Sequence, residues 1–378
     1  MQAVGQCQER SECNLLYRNI FKPVLFRMDP EKAHHLVIGG LGAGVRIPGT
    51  LAAMNSMYGI TSTPDMTTEL FGITFPGPVG LAAGLDKNAQ AVPGLSASGF
   101  GFMEVGTVTP RPQPGNEQPR LFRLPSDQAL VNRMGFNNEG ADAMAKRLQE
   151  LNARSIPIAV NIGKNKTTPN EQAADDYESC IRTLYPYADF FVVNISSPNT
   201  PDLRNLQHGN ELKELLAAVM AEMKRQEQQH GSAKSVLVKI APDVSEAELE
   251  YMVDTIQSSG AAGLIATNTT LSREGLTHPD AGQAGGLSGR PLTRRSTEII
   301  SSVYRQTGGR LPIIGCGGIF SSQDAYDKIR AGSSLVEIYT SFIYEGPQVT
   351  RELHNGIREL MKRDGFTHIS EAVGADHR

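Results

Sequence analysis

The chain has 378 residues, enough to bury a large core, and its formal net charge is −4. This near balance argues against a nucleic-acid-binding protein, because such proteins carry a strongly basic surface. Four cysteines in this length do not make a disulfide framework, and none has metal-ligand spacing, so we expect no metal. The first residues are polar and no run of 18 apolar residues occurs, so we expect neither a signal peptide nor a membrane span.

Short apolar runs recur from about residue 79 onward and alternate with helical patterns. Each run is continuously apolar rather than alternating, which is typical of parallel strands covered on both faces. The eight predicted strands are Val79–Gly84, Phe102–Gly106, Pro157–Ile162, Phe190–Ile195, Val236–Ala241, Gly263–Asn268, Pro312–Cys316 and Leu335–Tyr339.

Amphipathic helical patterns fill most of the gaps between these runs. After Asn210, apolar residues from Leu212 to Met223 recur at helical spacing, and Ser245 and Glu248 form a capping-box pattern before another helix. Strands that alternate with helices in this way predict a (β/α)8 TIM barrel. An open doubly wound sheet is the alternative, but the G-x-G-x-x-G turn that would favour it is missing after the first strand.

The patterns divide the chain into five segments. These are a polar N-terminal extension (1–13), a small N-terminal helical module (14–46), a connecting segment (47–78), the barrel (79–362) and a C-terminal tail (363–378). Five prolines between residues 109 and 136 exclude a helix there, so we expect an insertion after the second strand.

The module at residues 14–46 has an apolar face with basic residues among it. The apolar residues are Leu15, Leu16, Ile20, Phe21, Val24 and Leu25, and the basic residues are Arg18, Lys22 and Arg27. Asp29 and Pro30 predict the start of a second helix. Two interpretations are open: a helical cap packed on the bottom of the barrel, or an amphipathic module that lies on a membrane.

Polar residues follow the predicted strands at their carboxyl ends, where a barrel of this kind carries its active site. Gly317–Gly318 and Tyr339–Ser341 follow the last two strands, the usual phosphate position in such barrels. The glycine-rich stretch 285–289 adds further unhindered backbone. We therefore expect a ligand that carries a phosphate monoester.

Five asparagines could surround one pocket, and their amides suit a planar ligand with alternating C=O and N–H groups. They are Asn132, Asn161, Asn194, Asn199 and Asn268. Lys87 and Lys239 would supply positive charge for a carboxylate or a developing anion. Ser196 and Ser197 follow the fourth strand with no histidine in the local motif, so a Ser-His-Asp hydrolase is poorly supported.

The motifs at these positions resemble those of dihydroorotate dehydrogenases, specifically the class 2, quinone-dependent branch. They are LAAGLDK, EVGTVTPRPQPGN, PRLFR, NRMGFNN, NIGKN, NISSPNTP, KIAPD, ATNTT, GGLSGRPL and PIIGCGG, and the similarity covers roughly residues 14–360 in order. The resemblance implies a barrel with one FMN per chain that oxidises (S)-dihydroorotate to orotate in de novo pyrimidine biosynthesis, with a quinone as electron acceptor.

The resemblance also implies a role for individual residues, with Ser197 as the catalytic base where class 1 relatives carry Cys. The substrate positions are Lys87, Asn132, Arg133, Met134, Gly135, Phe136, Asn194, Asn199, Asn268 and Thr269. The FMN positions are Ala83, Gly84, Thr107, Asn161, Asn194, Lys239, Thr267, Gly289, Gly318, Tyr339 and Thr340. The positions lining a quinone tunnel are His34, Arg123 and Tyr339.

Because quinone resides in the bilayer, the resemblance favours the membrane interpretation of the module. It implies peripheral association with the cytoplasmic side of the cell membrane, dihydroorotate and quinone as partners, and no nucleic acid. Departures from the family pattern are few: the polar residues before Asn14, the tail after Lys362, and Cys316 where an aliphatic residue is common.

Other functions fit the residues less well. A class 1 dihydroorotate dehydrogenase would lack the module and carry Cys at position 197, and a tRNA-dihydrouridine synthase would carry a basic surface and a catalytic Cys. A phosphate-sugar aldolase would use a Schiff-base lysine and be colourless. A non-catalytic binding barrel would leave the lysines and asparagines at the strand ends without a purpose.

Overall fold

The computed structural model describes residues 17–151 and 154–378 of the chain. Its strands, in chain order, are β1 (Thr68–Leu70), β2 (Ile73–Phe75), β3 (Val79–Leu81), β4 (Phe102–Val108), β5 (Leu121–Leu124), β6 (Ala129–Asn132), β7 (Ile158–Ile162), β8 (Phe190–Asn194), β9 (Ser235–Ile240), β10 (Gly263–Ala266), β11 (Gly286–Gly289), β12 (Ile313–Cys316) and β13 (Leu335–Ile338).

Eight of these strands close into a parallel barrel in the order β3-β4-β7-β8-β9-β10-β12-β13. Each coincides with one of the eight predicted runs, so the (β/α)8 barrel is confirmed and the open sheet is wrong. Strands β7 and β8 are buried along their whole length, as expected for strands packed between the barrel interior and surrounding helices.

Within the described residues, helices surround the barrel and also lie before its first strand and after its last one. They are Lys22–Arg27, Pro30–Gly44, Thr50–Tyr58, Val92–Ser96, Ala141–Gln149, Ala173–Leu184, Gly209–His230, Glu246–Ser259, Thr293–Thr307, Ser322–Arg330, Thr340–Glu345, Gln348–Arg363 and Ile369–Ala372. The predicted capping box forms, because Ser245 Oγ accepts the Glu248 N–H and the Glu248 carboxylate accepts the Ser245 N–H. In the tail, Ile369 and Ala372 are buried.

A small hairpin, β1 paired antiparallel with β2, fills the amino-terminal end of the barrel. Phe75 is fully buried there, with its ring centroid 5.4 Å from that of Phe102 and 6.1 Å from that of Phe190. Phe102 and Phe190 begin strands β4 and β8, so the aromatic cluster closes the end opposite to the polar strand ends. This hairpin falls in the segment expected only to connect module and barrel.

At the other end, β5, β6 and β11 form an antiparallel sheet that lies outside the barrel. Strands β5 and β6 come from the proline-rich insertion, while β11 comes from the glycine-rich stretch 285–289, for which no strand was predicted. The register pairs Asn132 with Gly286, and so holds the predicted substrate turn against the loop after β10.

The helical module packs at this same carboxyl end, so the expectation of a cap on the barrel bottom is wrong. Arg123 Nη1 of β5 donates to the Met28 carbonyl at 2.9 Å, between the first two helices. Glu31 forms a buried ion pair with Arg120, with Arg120 Nη2 and Glu31 Oε1 2.6 Å apart. Among the described residues, no helix is both long and apolar enough to cross a membrane. Leu15 and Leu16 lie outside the described residues.

Candidate active site

One cavity opens at the carboxyl ends of the barrel strands and gathers most of the predicted site residues. Those that border it are His34, Ala83, Gly84, Lys87, Thr107, Asn132, Met134, Gly135, Phe136, Asn194, Ser197, Asn199, Lys239, Thr267, Asn268, Thr269, Gly289, Gly318, Tyr339 and Thr340. Three predicted residues, Arg133, Asn161 and Arg123, do not border this main cavity.

Each of these three residues lies close to the main cavity but not on its wall. Asn161 lies behind the wall, where its Oδ1 accepts a 2.5 Å hydrogen bond from Thr107 Oγ1 and a 3.2 Å bond from Asn194 Nδ2. Arg133 points outward, donating to Gln283 Oε1 at 3.2 Å. Arg123 borders a second cavity instead.

Amide side chains on the wall are joined to one another rather than free to rotate. Asn199 Nδ2 donates to Asn132 Oδ1 at 3.1 Å, and Asn268 Nδ2 donates to Ser196 Oγ at 2.9 Å. Asn194 Nδ2 donates to Thr107 Oγ1 at 2.9 Å. These bonds fix which amide atoms remain available to a ligand, and therefore pre-organise the wall for one arrangement of donors and acceptors.

Ser197 is nearly buried in the loop after β8, and its Oγ accepts the Asn199 N–H at 3.2 Å. Arg204 holds this loop against the end of β10: its Nε donates to the Ser196 carbonyl at 3.0 Å and its Nη2 to the Thr269 carbonyl at 2.9 Å. The position of Ser197 is therefore fixed relative to Thr269. The sequence analysis missed Arg204, because an arginine that bonds to backbone has no distinctive spacing.

Gln113 and Asn138 hold the predicted substrate turn in place through hydrogen bonds to its backbone. Gln113 Nε2 donates to the Gly135 and Phe136 carbonyls at 3.1 Å each, and Asn138 Nδ2 donates to the Phe136 carbonyl at 2.7 Å. Phe136 has a positive φ of 53°, a conformation that a non-glycine residue adopts only when its surroundings impose it. The ring of Phe136 borders the main cavity.

Lys87 is a half-buried cation on the wall of the main cavity. Its Nζ donates to the Gly84 carbonyl at 3.0 Å. Burial lowers the pKa of Lys87 to about 8, with Glu31 acting in the opposite direction. The group is thus charged at neutral pH, without a carboxylate in direct contact among the described residues, and suits an anionic part of a ligand.

Lys239 is buried beside two carboxyl groups that the sequence analysis missed. Its Nζ lies 2.6 Å from Glu104 Oε2 and 3.4 Å from Glu337 Oε2. Burial alone would lower the pKa of Lys239, but the two carboxyl groups outweigh it and raise the pKa above its ordinary value. Lys239 is therefore a permanent cation in this wall. The motif EVGTVTPRPQPGN contains Glu104 without assigning it a role, and Glu337 lies in an apolar strand outside every quoted motif.

Several buried polar atoms on this wall lack a partner within the described part of the chain. They are Thr267 Oγ1, Glu337 Oε1 and Ser341 Oγ. Such atoms are costly unless a ligand or water satisfies them. Gly318, with a φ of +72°, lies so close to Thr293 that an added Cβ would come within 2.3 Å of the Thr293 nitrogen. Bare backbone and unpaired hydroxyls at this end fit a phosphate group.

A second, largely apolar cavity adjoins the first and is lined in part by the helical module. Residues from the module and from the helix Thr50–Tyr58 form one side, including Leu25, Ala33, Val37, Leu41 and Met54. His34, Leu121, Leu130 and Tyr339 border both cavities. Burial and then the neighbouring Lys87 lower the pKa of His34 to about 3, so its ring is neutral in this shared wall.

The parallel barrel is closed and has a cavity at its carboxyl ends, which is typical of a barrel enzyme. The array of amides and the polar atoms without a partner in the described residues fit a planar ligand that carries a phosphate. Comparison with known proteins is more specific. The family model described as dihydroorotate dehydrogenase matches residues 65–361. The chain belongs to the dihydroorotate dehydrogenase family.

Individual relatives agree over nearly the whole chain. A Deinococcus deserti protein named dihydroorotate dehydrogenase (quinone) is 56% identical over 362 residues, which is 96% of this chain and 100% of the relative. The Deinococcus radiodurans protein of the same name is 52% identical and covers 95% of this chain and 100% of the relative. A crystal structure of DHODH from Eimeria tenella in complex with ferulenol is 40% identical, with a TM-score of 0.85 over 93% of this chain and 96% of that chain.

Proposed function

We propose that this protein oxidises dihydroorotate to orotate in pyrimidine biosynthesis and passes the electrons to a quinone. The observation that carries the proposal is the pairing of cavities. Ser197, Lys87 and the amide array face the main cavity, and one wall of that cavity also borders an apolar cavity. A polar metabolite and an apolar acceptor thus each have a suitable space.

The cofactor that fits the main cavity is FMN, which when bound supplies an acceptor for a hydride. The residues that would hold it are Ala83, Gly84, Thr107, Lys239, Thr267, Gly289, Gly318, Tyr339 and Thr340, with Asn161 supporting Thr107 from behind. The unpaired Thr267 and Ser341 hydroxyls support this assignment, since a flavin ring and its phosphate need donors there. Lys239 would present its ammonium group to the bound flavin, on which negative charge develops when the flavin is reduced.

For the substrate, the chain's residues orient the ring and move one proton. Asn132, Asn194, Asn199 and Asn268 bind the pyrimidine edge, and Lys87 binds the carboxylate, which together hold the reacting carbon in place. Ser197 Oγ removes the proton. Because a serine hydroxyl is a weak base, the proton has to pass on through water or Thr269, and the nearly buried site limits competing solvent.

The quinone would enter the second cavity, where the proposed tunnel residues His34, Arg123 and Tyr339 all lie on the wall. This cavity argues against the class 1 alternative, in which no such module is expected. Ser197, in place of the catalytic Cys, argues against both class 1 and a tRNA-dihydrouridine synthase.

We further propose peripheral association with the cytoplasmic face of the cell membrane through residues 17–58. Nine large apolar side chains are exposed in the described part of the chain, and all but Leu271 belong to this region: Ile20, Phe21, Val24, Leu36, Val37, Ile47, Leu51 and Met57. The same region turns Leu25 and Ala33 inward to the second cavity. A surface of this kind suits the lipid interface. Failure to sediment with anionic liposomes would contradict this.

The visible spectrum of the purified protein tests the main proposal. We expect a yellow protein whose flavin absorbance bleaches on addition of dihydroorotate and returns on addition of quinone. Acid treatment should release FMN, because the binding wall forms no covalent link in this proposal. A colourless folded protein, recovered FAD, or a flavin that dihydroorotate does not bleach would contradict the proposal.

The low pKa of Lys87 predicts how ligand binding depends on pH. Below about pH 8 the ammonium is charged and pairs with the orotate carboxylate, while above it the charge is lost. Orotate affinity should therefore fall as pH rises from 7 to 9, by up to about tenfold per pH unit. Titration of orotate at a series of pH values measures this. Lys87→Gln should bind orotate weakly at every pH, and an unchanged pH profile in that variant would assign the effect to another group.

A further inference from the structure

Glu337 is a buried carboxyl group to which the proposed function gives no role. It lies on β13, its side chain is 0% exposed, and it borders the main cavity. Its Oε2 is 3.4 Å from Lys239 Nζ, and its Oε1 has no hydrogen-bond partner within residues 17–151 and 154–378. An ionised carboxylate in such a position would be poorly stabilised, because a buried charge needs close donors.

Glu104, the other carboxyl group beside Lys239, has much better donors. Its Oε2 accepts from Lys239 Nζ at 2.6 Å and from the Ala83 N–H at 2.9 Å, and its Oε1 accepts from Asn161 Nδ2 at 2.6 Å. Three short bonds stabilise a negative charge on Glu104. One ammonium cannot neutralise two adjacent carboxylates, so a proton resides on the carboxyl group with fewer donors.

We propose that Glu337 is a neutral carboxylic acid in the cavity wall and serves as a hydrogen-bonding acid for the flavin. This inference rests on the proposed flavin function. Burial, followed by the nearby Glu104, raises the pKa of Glu337 well above its usual range, in the direction that the geometry requires. The other titratable groups that act on this site are Lys239 and Cys316, and burial raises the pKa of the Cys316 thiol to about 12, so it too is neutral.

The proposed protonation state determines the charge of the wall. The positive charge of Lys239 and the negative charge of ionised Glu104 cancel, and neutral Glu337 adds no charge. A hydride carries two electrons and one proton, so its transfer to the flavin adds one negative charge there. Neutral Glu337 does not oppose that charge, whereas ionised Glu337 would. Between the pKa of Glu337 in the oxidised protein and its higher pKa in the reduced protein, reduction is therefore accompanied by uptake of one further proton from solvent, which converts the Glu337 carboxylate to the acid.

Glu337→Gln tests this, because glutamine is neutral and similar in size to the protonated acid. In the purified holoprotein at pH 7, we expect the flavin midpoint potentials of wild type and E337Q to agree. Between these two pKa values of Glu337 the wild-type potential should fall more steeply, by about 30 mV per pH unit, the two-electron equivalent of a tenfold change in equilibrium constant. The infrared spectrum of the wild type should contain the C=O stretching band of a protonated carboxylic acid that E337Q lacks.

Glu104→Gln is the matched contrast, since it neutralises the carboxyl group that we consider ionised. It should raise the midpoint potential at pH 7. A comparable rise in E337Q at pH 7, or a wild type without the carboxylic acid band, would overturn the inference. If E337Q does not fold, two wild-type measurements decide: the carboxylic acid band and the pH dependence of the midpoint potential. Bleaching of the wild type by dihydroorotate tests the proposed function separately, so a protein that bleaches but lacks the band fails this inference only.

Discussion

Replacing Ser197 with alanine is expected to slow flavin reduction by dihydroorotate by about 10²–10⁴-fold, the usual contribution of a positioned proton-transfer group. Within the described residues, the Ser197 side chain has one hydrogen bond, which it accepts from the Asn199 N–H at 3.2 Å. Its loss should therefore change the stability of the fold little. Orotate should still bind, because the amide array and Lys87 remain. Stopped-flow measurement of flavin bleaching gives the rate, and an orotate titration gives the affinity.

Ser302→Ala is a suitable control, because Ser302 lies on the helix Thr293–Thr307 and does not border the main cavity. It should reduce flavin at the wild-type rate. A near-normal rate in Ser197→Ala would remove Ser197 as the base. Ser197→Cys should retain part of the activity, since class 1 relatives carry Cys at the matching position.

Filling the second cavity is expected to slow turnover with a long-chain quinone, because the quinone binds more weakly, while leaving the first half-reaction intact. Ala33 is 4% exposed and borders that cavity, so Ala33→Trp would place an indole where the quinone ring should bind. A steric conflict of about 1–3 kcal/mol corresponds to roughly tenfold to hundredfold weaker quinone binding. Steady-state rates at varied quinone concentration measure this, with dihydroorotate bleaching as the check on the intact site.

Ala43→Trp provides the matched control on the same helix, because Ala43 is exposed and does not border either cavity. It should use the quinone normally. Reoxidation of Ala33→Trp by a small water-soluble dye should persist. Equal quinone kinetics in the two variants would place the quinone route outside the second cavity.

The barrel could be predicted from the sequence because the signals for its strands and helices lie within short stretches of the chain. Each strand is a continuous apolar run, and Ser245 and Glu248 mark a helix start within four residues of sequence. Polar residues that follow those runs must meet at one end of a parallel barrel, whatever their separation along the chain. The cavity residues Lys87, Asn194 and Asn268 could therefore be selected without any knowledge of distances, whereas the role of Ser197 came from the family resemblance.

The remaining features depend on contacts between distant segments. Phe75 closes the barrel by packing against Phe102, which lies more than 25 residues later in the sequence. Strand β11 pairs with β6 although some 150 residues of sequence separate them. Glu104 and Glu337 look like ordinary strand residues until the barrel closes around Lys239. The position of the module also lacks a local signal, because an apolar face does not specify which end of the barrel it covers.

In the proposed function, the wall shared by the two cavities separates a water-soluble reactant from a lipid-soluble one. His34, Leu121, Leu130 and Tyr339 face both spaces, and the imidazole of His34 stays uncharged there. Neither reactant has to leave before the other can approach, and an inhibitor lodged on one side need not displace a molecule on the other. In that arrangement electrons would cross the shared wall, while the carbon skeletons that donate and accept them would never share a binding space.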